Sequence, residues 1–179
     1  AAAGVDDGLD VVSPYRFPAA LAPLAAASAQ GRVIEIQEIV RGFERLVARY
    51  ACVVVEGAGG LLVPMGKDWD LRDLIDRLGL PVVVVGRARL GGINHALLTL
   101  EGLRRRRLAV AAVVLNETLL PSTSAHQDQC ASTAALLRER AGVPVLGPLH
   151  YQPHLDRDWS GAIDRLASSD PIRELVDRA

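Results

Sequence analysis

Glu56 stands where a side chain could do chemistry, directly after an apolar run and just before three glycines in four residues. The run at 53–55 is all valine, which predicts a buried strand. A carboxylate at a strand end could bind Mg²⁺ while the glycine backbone approaches a phosphate, because Mg²⁺ prefers a few carboxylates with waters and phosphate oxygens. A tight turn with a solvated glutamate fits the same residues.

A second group lies around Gly91 and Gly92, which follow another apolar run and open an amphipathic segment. Free amides and the helix dipole make such a start an anion site. Asn94, in the predicted first turn, could donate its amide to a carboxylate. The alternative is a glycine loop with Asn94 as a capping residue. For His95 the sequence favours packing, since no further ligand stands at metal spacing.

A third group follows the run at 110–115, where Asn116 and Glu117 stand at a predicted strand end. An asparagine there could hydrogen-bond an adenine edge, as its geometry allows. The other histidines are scattered without the acidic or cysteine partners of a zinc site. The arginines at 104–107 are most simply a charged helix end that complements the dipole.

Four short apolar runs predict strands that are buried on both faces, because none alternates polar with apolar residues. They lie at 53–55, 81–86, 110–115 and 143–146. Helical periodicity occurs at 36–50, 70–79, 93–103 and from 122–124 to 141, and the polar tail predicts one or two short helices. This alternation predicts a single α/β domain over 1–179 with a parallel sheet.

The composition excludes several classes of protein. Twenty basic residues balance twenty-one acidic ones, so bulk charge indicates neither nucleic acid nor an anionic membrane as partner. No apolar run reaches the roughly 18 residues of a membrane helix, and residues 1–4 lack the basic flank of a signal peptide. Cys52 and Cys130 are read as buried free thiols, which predicts a cytoplasmic protein.

Taken together, three segments resemble the dethiobiotin synthetase family in order and spacing. They are VVEGAGGLLVP at 54–64, LPVVVV at 80–85 and LGGINHALLT at 90–99. The resemblance extends back through SPYRF at 13–17 and forward to Asn116 and the GPL of 147–149, and so covers roughly residues 11 to 152.

The resemblance implies a P-loop NTPase-like, mostly parallel sheet with helices on both faces, in a homodimeric ligase of biotin biosynthesis. The expected reaction is the ATP- and Mg²⁺-dependent carboxylation of 7,8-diaminopelargonic acid with CO₂, which closes the ring to give dethiobiotin, ADP and phosphate. The amine is carbamated, ATP phosphorylates the carbamate, and the second amine attacks.

The resemblance also implies roles for individual residues. Glu56 is the expected Mg²⁺ ligand, and Gly92 and Asn94 are expected to bind the substrate carboxylate across the dimer interface. Asn116 is the expected adenine reader. The full set of expected ATP-binding residues is Glu56, Gly57, Ala58, Gly59, Asn116, Glu117, His150, Tyr151 and Gln152. His150 departs from the family pattern, in which a proline is usual.

The family's phosphate loop, its catalytic lysine and a second Mg²⁺-binding aspartate have no match in residues 1–12, and GxxxxGK[ST] occurs nowhere in the chain. We therefore expect these parts, and the N-terminal βα unit that contains them, to lie upstream. No catalytic residue is then expected within the chain, and this segment alone is expected to be poorly soluble and inactive towards ATP.

Two other readings stay open on the sequence. A relative that naturally lacks the phosphate loop would be a non-catalytic binding or scaffolding module with a partner over its open sheet edge. An ATP-dependent amidase of corrinoid synthesis is less favoured, because such enzymes have a glutaminase part with a reactive cysteine. Neither Cys52 nor Cys130 has a nucleophile-like setting.

Overall fold

The computed structural model describes residues 7–120, 122–155 and 157–178. They form two compact units, the first ending at Leu80 and the second beginning at Pro81. The prediction of one domain over 1–179 stays a prediction, and the one made for residues 1–4 lies outside the described residues. Within the described ranges, no helix has the length and apolar character needed to cross a membrane.

The first unit is built from helices joined by irregular segments. The helices are α1 (Leu9–Val12), α2 (Pro23–Ser28), α3 (Ile36–Val47) and α4 (Leu71–Leu78). The predicted ends of α4 are confirmed. Asp70 accepts a hydrogen bond from the Arg72 amide at 2.8 Å and, together with Asp73, forms a capping box. Gly79 ends the helix with φ 64°, a left-handed conformation that glycine adopts without strain.

The strand predicted at 53–55 is wrong. Within the described residues, none of these three valines belongs to a strand or takes part in a backbone hydrogen bond. Val54 is 89% exposed. A β-branched run gains strand structure only from a neighbouring strand that accepts its ladder bonds, and this run has no such neighbour in the described chain. Cys52 beside it is exposed, so the prediction of a buried thiol there is also wrong.

The second unit contains the predicted parallel sheet. Its strands are β1 (Val82–Arg87), β2 (Val110–Asn116) and β3 (Val145–Leu149), in the order β1-β2-β3, with both pairs parallel. The helices are α5 (Gly92–Arg105), α6 (Ser124–Arg140), α7 (Trp159–Ala167) and α8 (Asp170–Val176). The strands at 81–86, 110–115 and 143–146, the helices and the short C-terminal helices are thus confirmed within a few residues.

Helices cover both faces of this sheet, as predicted. On one face, Gly86 approaches Leu115 and Ala96 of α5. On the other, Leu175 of α8 packs against the cluster that Ala112, Val114 and Leu146 form. Adjacent residues of a strand point to opposite faces, which places α5 and α8 on opposite sides.

Strand β1 differs from the prediction of burial on both faces. Val84 is buried, but Val83 is 39% and Val85 71% exposed. Strand β1 lies at one side of the described sheet, whereas α8 packs against β3 at the other side. The face that Val83 and Val85 share is therefore left open to solvent, while β2, between two partners, has a buried centre.

Candidate functional site

The carboxyl ends of the three strands meet at one edge of the sheet. The register pairs Arg87 with Asn116 and Asn116 with Leu149. The Ala88 amide donates to the Asn116 carbonyl at 2.9 Å, and the Glu117 amide donates to the Leu149 carbonyl at 2.9 Å. Ligands of open α/β sheets bind at such an edge, so this fold places Asn116 and Glu117 where the sequence expected a ligand.

Glu117 joins the end of β2 to the loop after β3. One of its carboxylate oxygens accepts from the Tyr151 amide at 3.2 Å and lies 3.4 Å from His150 Nδ1. The Glu117 side chain is 9% exposed, whereas that of His150 is 84% exposed. The structure therefore brings together two expected ATP-binding segments, 116–117 and 150–152, that lie more than thirty residues apart.

Gln152 completes the loop after β3. Its side-chain nitrogen donates to the His150 carbonyl at 3.2 Å, and its oxygen accepts from Arg165 Nε at 3.3 Å. Arg165 also reaches Asp158, the N-cap residue of α7. The conformation of the loop is thus fixed from both sides, by Glu117 and by α7.

Gly92 lets α5 begin against the end of β1. A Cβ at this position would lie 2.1 Å from the Arg87 carbonyl oxygen, too close for any side chain. Gly91 has φ 83° and occupies the N-cap position. Asn94 is exposed in the first turn, with its side chain available to a ligand or to another chain. The amides of this turn and the dipole of α5 favour an anion there.

Glu56, Gly57, Ala58 and Gly59 belong to the first unit. Glu56 is exposed and lines, with Gly57 and Ala58, an otherwise mostly apolar cavity of about 350 Å³. Gly57 packs against Leu71, since an added Cβ would lie 2.4 Å from a Leu71 methyl. The glutamate therefore follows an irregular extended segment at a cavity rim, rather than a strand end as expected.

The donor set at Glu56 fits a single-carboxylate Mg²⁺ ligand. Among the described residues, no three His, Cys, Asp or Glu side chains group closely enough to hold a metal by themselves. Mg²⁺ is commonly held by one or two carboxylates, with phosphate oxygens and waters completing its shell. One exposed glutamate beside glycines matches that need.

Cys130 lies beside the strand ends and is partly buried. Its Sγ donates to the Ala88 carbonyl at 2.8 Å. Burial raises the pKa of the Cys130 thiol, and the negative charge of Glu117 raises it further. The expectation that neither cysteine has a nucleophile-like setting agrees with this geometry for Cys130.

Arg87 is not among the site residues expected from the sequence. Arg87 ends β1 as Asn116 ends β2, and its Nη2 lies 3.2 Å from His95 Nδ1. His95 is exposed and hydrogen-bonded to Arg87. The sequence had instead favoured a packing role for it. The position of an arginine directly after an apolar strand was the available signal.

Comparison with known proteins gives the family. Residues 1–158 match the AAA domain family. The chain is 38% identical over 167 residues to the ATP-dependent dethiobiotin synthetase BioD of Thermodesulfovibrio yellowstonii, over 89% of this chain and 68% of that protein. The identity to the same enzyme of Anaeromyxobacter dehalogenans is 51% over 117 residues, covering 65% of this chain and 52% of the relative. For Bacillus subtilis BioD it is 34% over 136 residues, covering 76% and 57%.

The chain spans about half the length of the Anaeromyxobacter relatives that it matches. Its α/β fold, with a parallel sheet and helices on both faces, agrees with the P-loop NTPase-like class expected from the sequence. The chain belongs to the dethiobiotin synthetase family, within the AAA domain family that most of its length matches.

Proposed function

We propose that this chain supplies adenine-, Mg²⁺- and substrate-binding residues of an ATP-dependent dethiobiotin synthetase. The reaction joins CO₂ to 7,8-diaminopelargonic acid and closes the ureido ring, with ATP converted to ADP and phosphate. The observation that supports this best is the junction of Glu117 with the loop at 150–152, because it unites two segments expected to surround the nucleotide base.

In this proposal Asn116 reads the adenine. Its side-chain amide offers one donor and one acceptor, which match the two groups on an adenine edge. The backbone at this position is fixed by pairing on both sides, to Arg87 and to Leu149. Glu117 accepts a hydrogen bond from the Tyr151 amide and so keeps the loop with Tyr151 and Gln152 against the base.

Gly92 and Asn94 bind the carboxylate of the diamine. The first-turn amides of α5 and the side-chain amide of Asn94 donate hydrogen bonds to it, and the helix dipole adds attraction. We propose that they act across the interface of a cytoplasmic homodimer, since Asn94 is exposed on the surface of the second unit. Binding the remote carboxylate orients the two amines of the substrate for reaction.

Glu56 supplies one carboxylate oxygen to Mg²⁺. The metal, when bound, neutralises charge on the transferred phosphoryl group. The backbone at Gly57, Ala58 and Gly59 lies beside Glu56, and with two glycines in three residues it can approach phosphate oxygens closely. Gly59 has φ 85°, which a side chain would strain.

The test is dethiobiotin formation by the product of the gene that encodes this chain. Purified protein is supplied with 7,8-diaminopelargonic acid, labelled bicarbonate, ATP and Mg²⁺. We expect label in dethiobiotin with stoichiometric ADP, and growth without biotin of a host strain that lacks its own synthetase. Binding of nucleotide without label in the product, and without rescue, would instead support the non-catalytic binding module.

A further inference from the structure

The second unit contains an open cavity of about 330 Å³ at the carboxyl ends of β1 and β2, beside the first two turns of α5. Its lining includes Arg87, His95, Thr99, Asn116 and Thr118. Gly92 also lines it, and of all these residues Gly92 and Asn116 belong to the proposed function, whereas Arg87 and His95 do not. Among the described lining residues there is no Asp or Glu, so the positive charge of Arg87 is unopposed within the cavity.

Arg87 has a buried hydrogen-bond donor that no described residue satisfies. Its Nη2 lies against His95 Nδ1 at 3.2 Å, but its Nε is buried and has no hydrogen-bond partner among the described residues. A buried donor without an acceptor is costly, and more so on a charged group. An acceptor from outside the chain, held in the cavity, would remove this cost.

The contact with Arg87 leaves His95 able to donate a hydrogen bond from its other ring nitrogen. A guanidinium has only donors, so Nδ1 of the imidazole must be the acceptor in this pair. The ring proton of neutral His95 is then on Nε2. The ring is exposed, and Nε2–H can donate to a ligand that Arg87 attracts by charge.

The start of α5 keeps the pair in place. Gly92 packs directly on the Arg87 carbonyl, which puts His95 one turn into the helix and next to the Arg87 side chain. Thr99, one turn further, donates its hydroxyl to the His95 carbonyl at 2.9 Å. The pair therefore rests on a packed strand end and a helix of 14 residues rather than on a loop.

We propose that Arg87 and His95 form an oxyanion-binding pair in this cavity, with a phosphate or carboxylate group as the ligand. Arg87 supplies the charge and one directed donor, and His95 supplies a second donor from Nε2. The pair itself goes beyond the residues of the proposed function, although the cavity also includes Gly92 and Asn116. The choice of source, a nucleotide phosphate or an aliphatic carboxylate, rests on that function.

The experiment uses the ¹⁵N-labelled product of the gene that encodes this chain, and NMR signals of the arginine Nε–H groups and histidine rings. Inorganic phosphate is titrated in one arm and nonanoate, a carboxylate as long as the proposed substrate, in the other. We expect the Arg87 Nε signal to move on saturation, and the His95 ring to show the Nε2–H tautomer.

Arg87→Met should weaken binding of the preferred anion about tenfold, the loss expected for one charge-assisted hydrogen bond. Arg89→Met is the matched control, because Arg89 is exposed two residues away and does not line the cavity. His95→Phe changes a residue on the helix surface, so it should weaken binding severalfold without affecting folding. It therefore tests the proposal even if Arg87→Met does not fold.

Equal affinity in wild type and His95→Phe, or in wild type and a folded Arg87→Met, would overturn the proposal. An equal loss in Arg89→Met would also overturn it, since the effect would then be general electrostatics. Saturation by phosphate at lower concentration than nonanoate assigns the site to a phosphate, and the reverse order assigns it to a carboxylate. Because the readout is simple anion binding, it can fail while dethiobiotin synthesis succeeds, or succeed while synthesis fails.

Discussion

Two valine runs of this chain, 53–55 in the first unit and 82–85 in the second, have the same composition and different structures. The second run is paired with β2 along its length, and Val84 is buried. The first belongs to no strand of the described chain, and Val54 is 89% exposed. β-branched side chains fit a pleated surface that already exists. The difference therefore lies in the neighbouring strands. It also determines how the site residues that follow each run are positioned.

Hydrogen exchange should give the largest contrast between the two regions. Val113 in the central strand donates to the Pro144 carbonyl at 2.8 Å and is fully buried. We expect its amide to exchange at least about 1,000-fold more slowly than those of residues 53–55, if β2 opens only with global unfolding. Mass spectrometry on peptic fragments measures this ratio. Comparable protection at 53–55 would mean that a partner covers the first run in solution.

Matched leucine truncations test the same contrast in stability. Leu115, in β2, is fully buried, whereas Leu62, after the glycines of the first unit, is 61% exposed. Leu115→Ala should lower the free energy of unfolding by about 2–5 kcal/mol through lost burial and a residual cavity. Leu62→Ala should change it by less than about 0.5 kcal/mol. Urea denaturation measures both values, and a similar loss in the two variants would contradict the assignment of exposure.

Glu56→Gln tests whether the carboxylate that follows the unpaired run is functional. In the proposed synthetase this change removes one ligand charge at the metal. The concentrations of Mg²⁺ and ATP needed for half-maximal turnover should therefore rise about tenfold, the scale of one charge-assisted interaction. Asp68→Asn, an exposed acid of the same unit, is the control. Steady-state kinetics over a range of MgATP concentrations measure the effect. Turnover unchanged in Glu56→Gln would remove this residue from the metal site.

The two cysteines give the smallest contrast, severalfold in rate. Cys52 precedes the unpaired valines and is exposed, while Cys130 is partly buried and donates to Ala88. Because burial and Glu117 raise the pKa of Cys130, its thiolate forms only above the pH at which an ordinary thiol ionises. Iodoacetamide at pH 8 should therefore label Cys52 first, and labelling of Cys130 should increase as the pH is raised further. Cys52→Ser isolates the slower reaction, and faster labelling of Cys130 would contradict the structure.

Many elements of both units could be predicted because their signals are local and agree with one another. Asp70 and Gly79 mark the ends of α4 in the first unit, and Gly92 and Thr123 mark the starts of α5 and α6 in the second. Asn116 and Glu117 could be placed at a strand end because an uninterrupted apolar run stops there. The Arg87–His95 pair could not be predicted, since it depends on how closely α5 begins against β1.

By itself, the sequence determined the periodic elements, their caps, the order of polar groups after each apolar run and the family. Those properties depend on a few adjacent residues, or on motifs whose order is preserved along the chain. The tertiary structure decided which valine run became a strand, which face of β1 stayed exposed and which distant segments Glu117 joins. Ladder hydrogen bonds and burial are properties of pairs of segments, and a run of residues read alone contains no information about its partner.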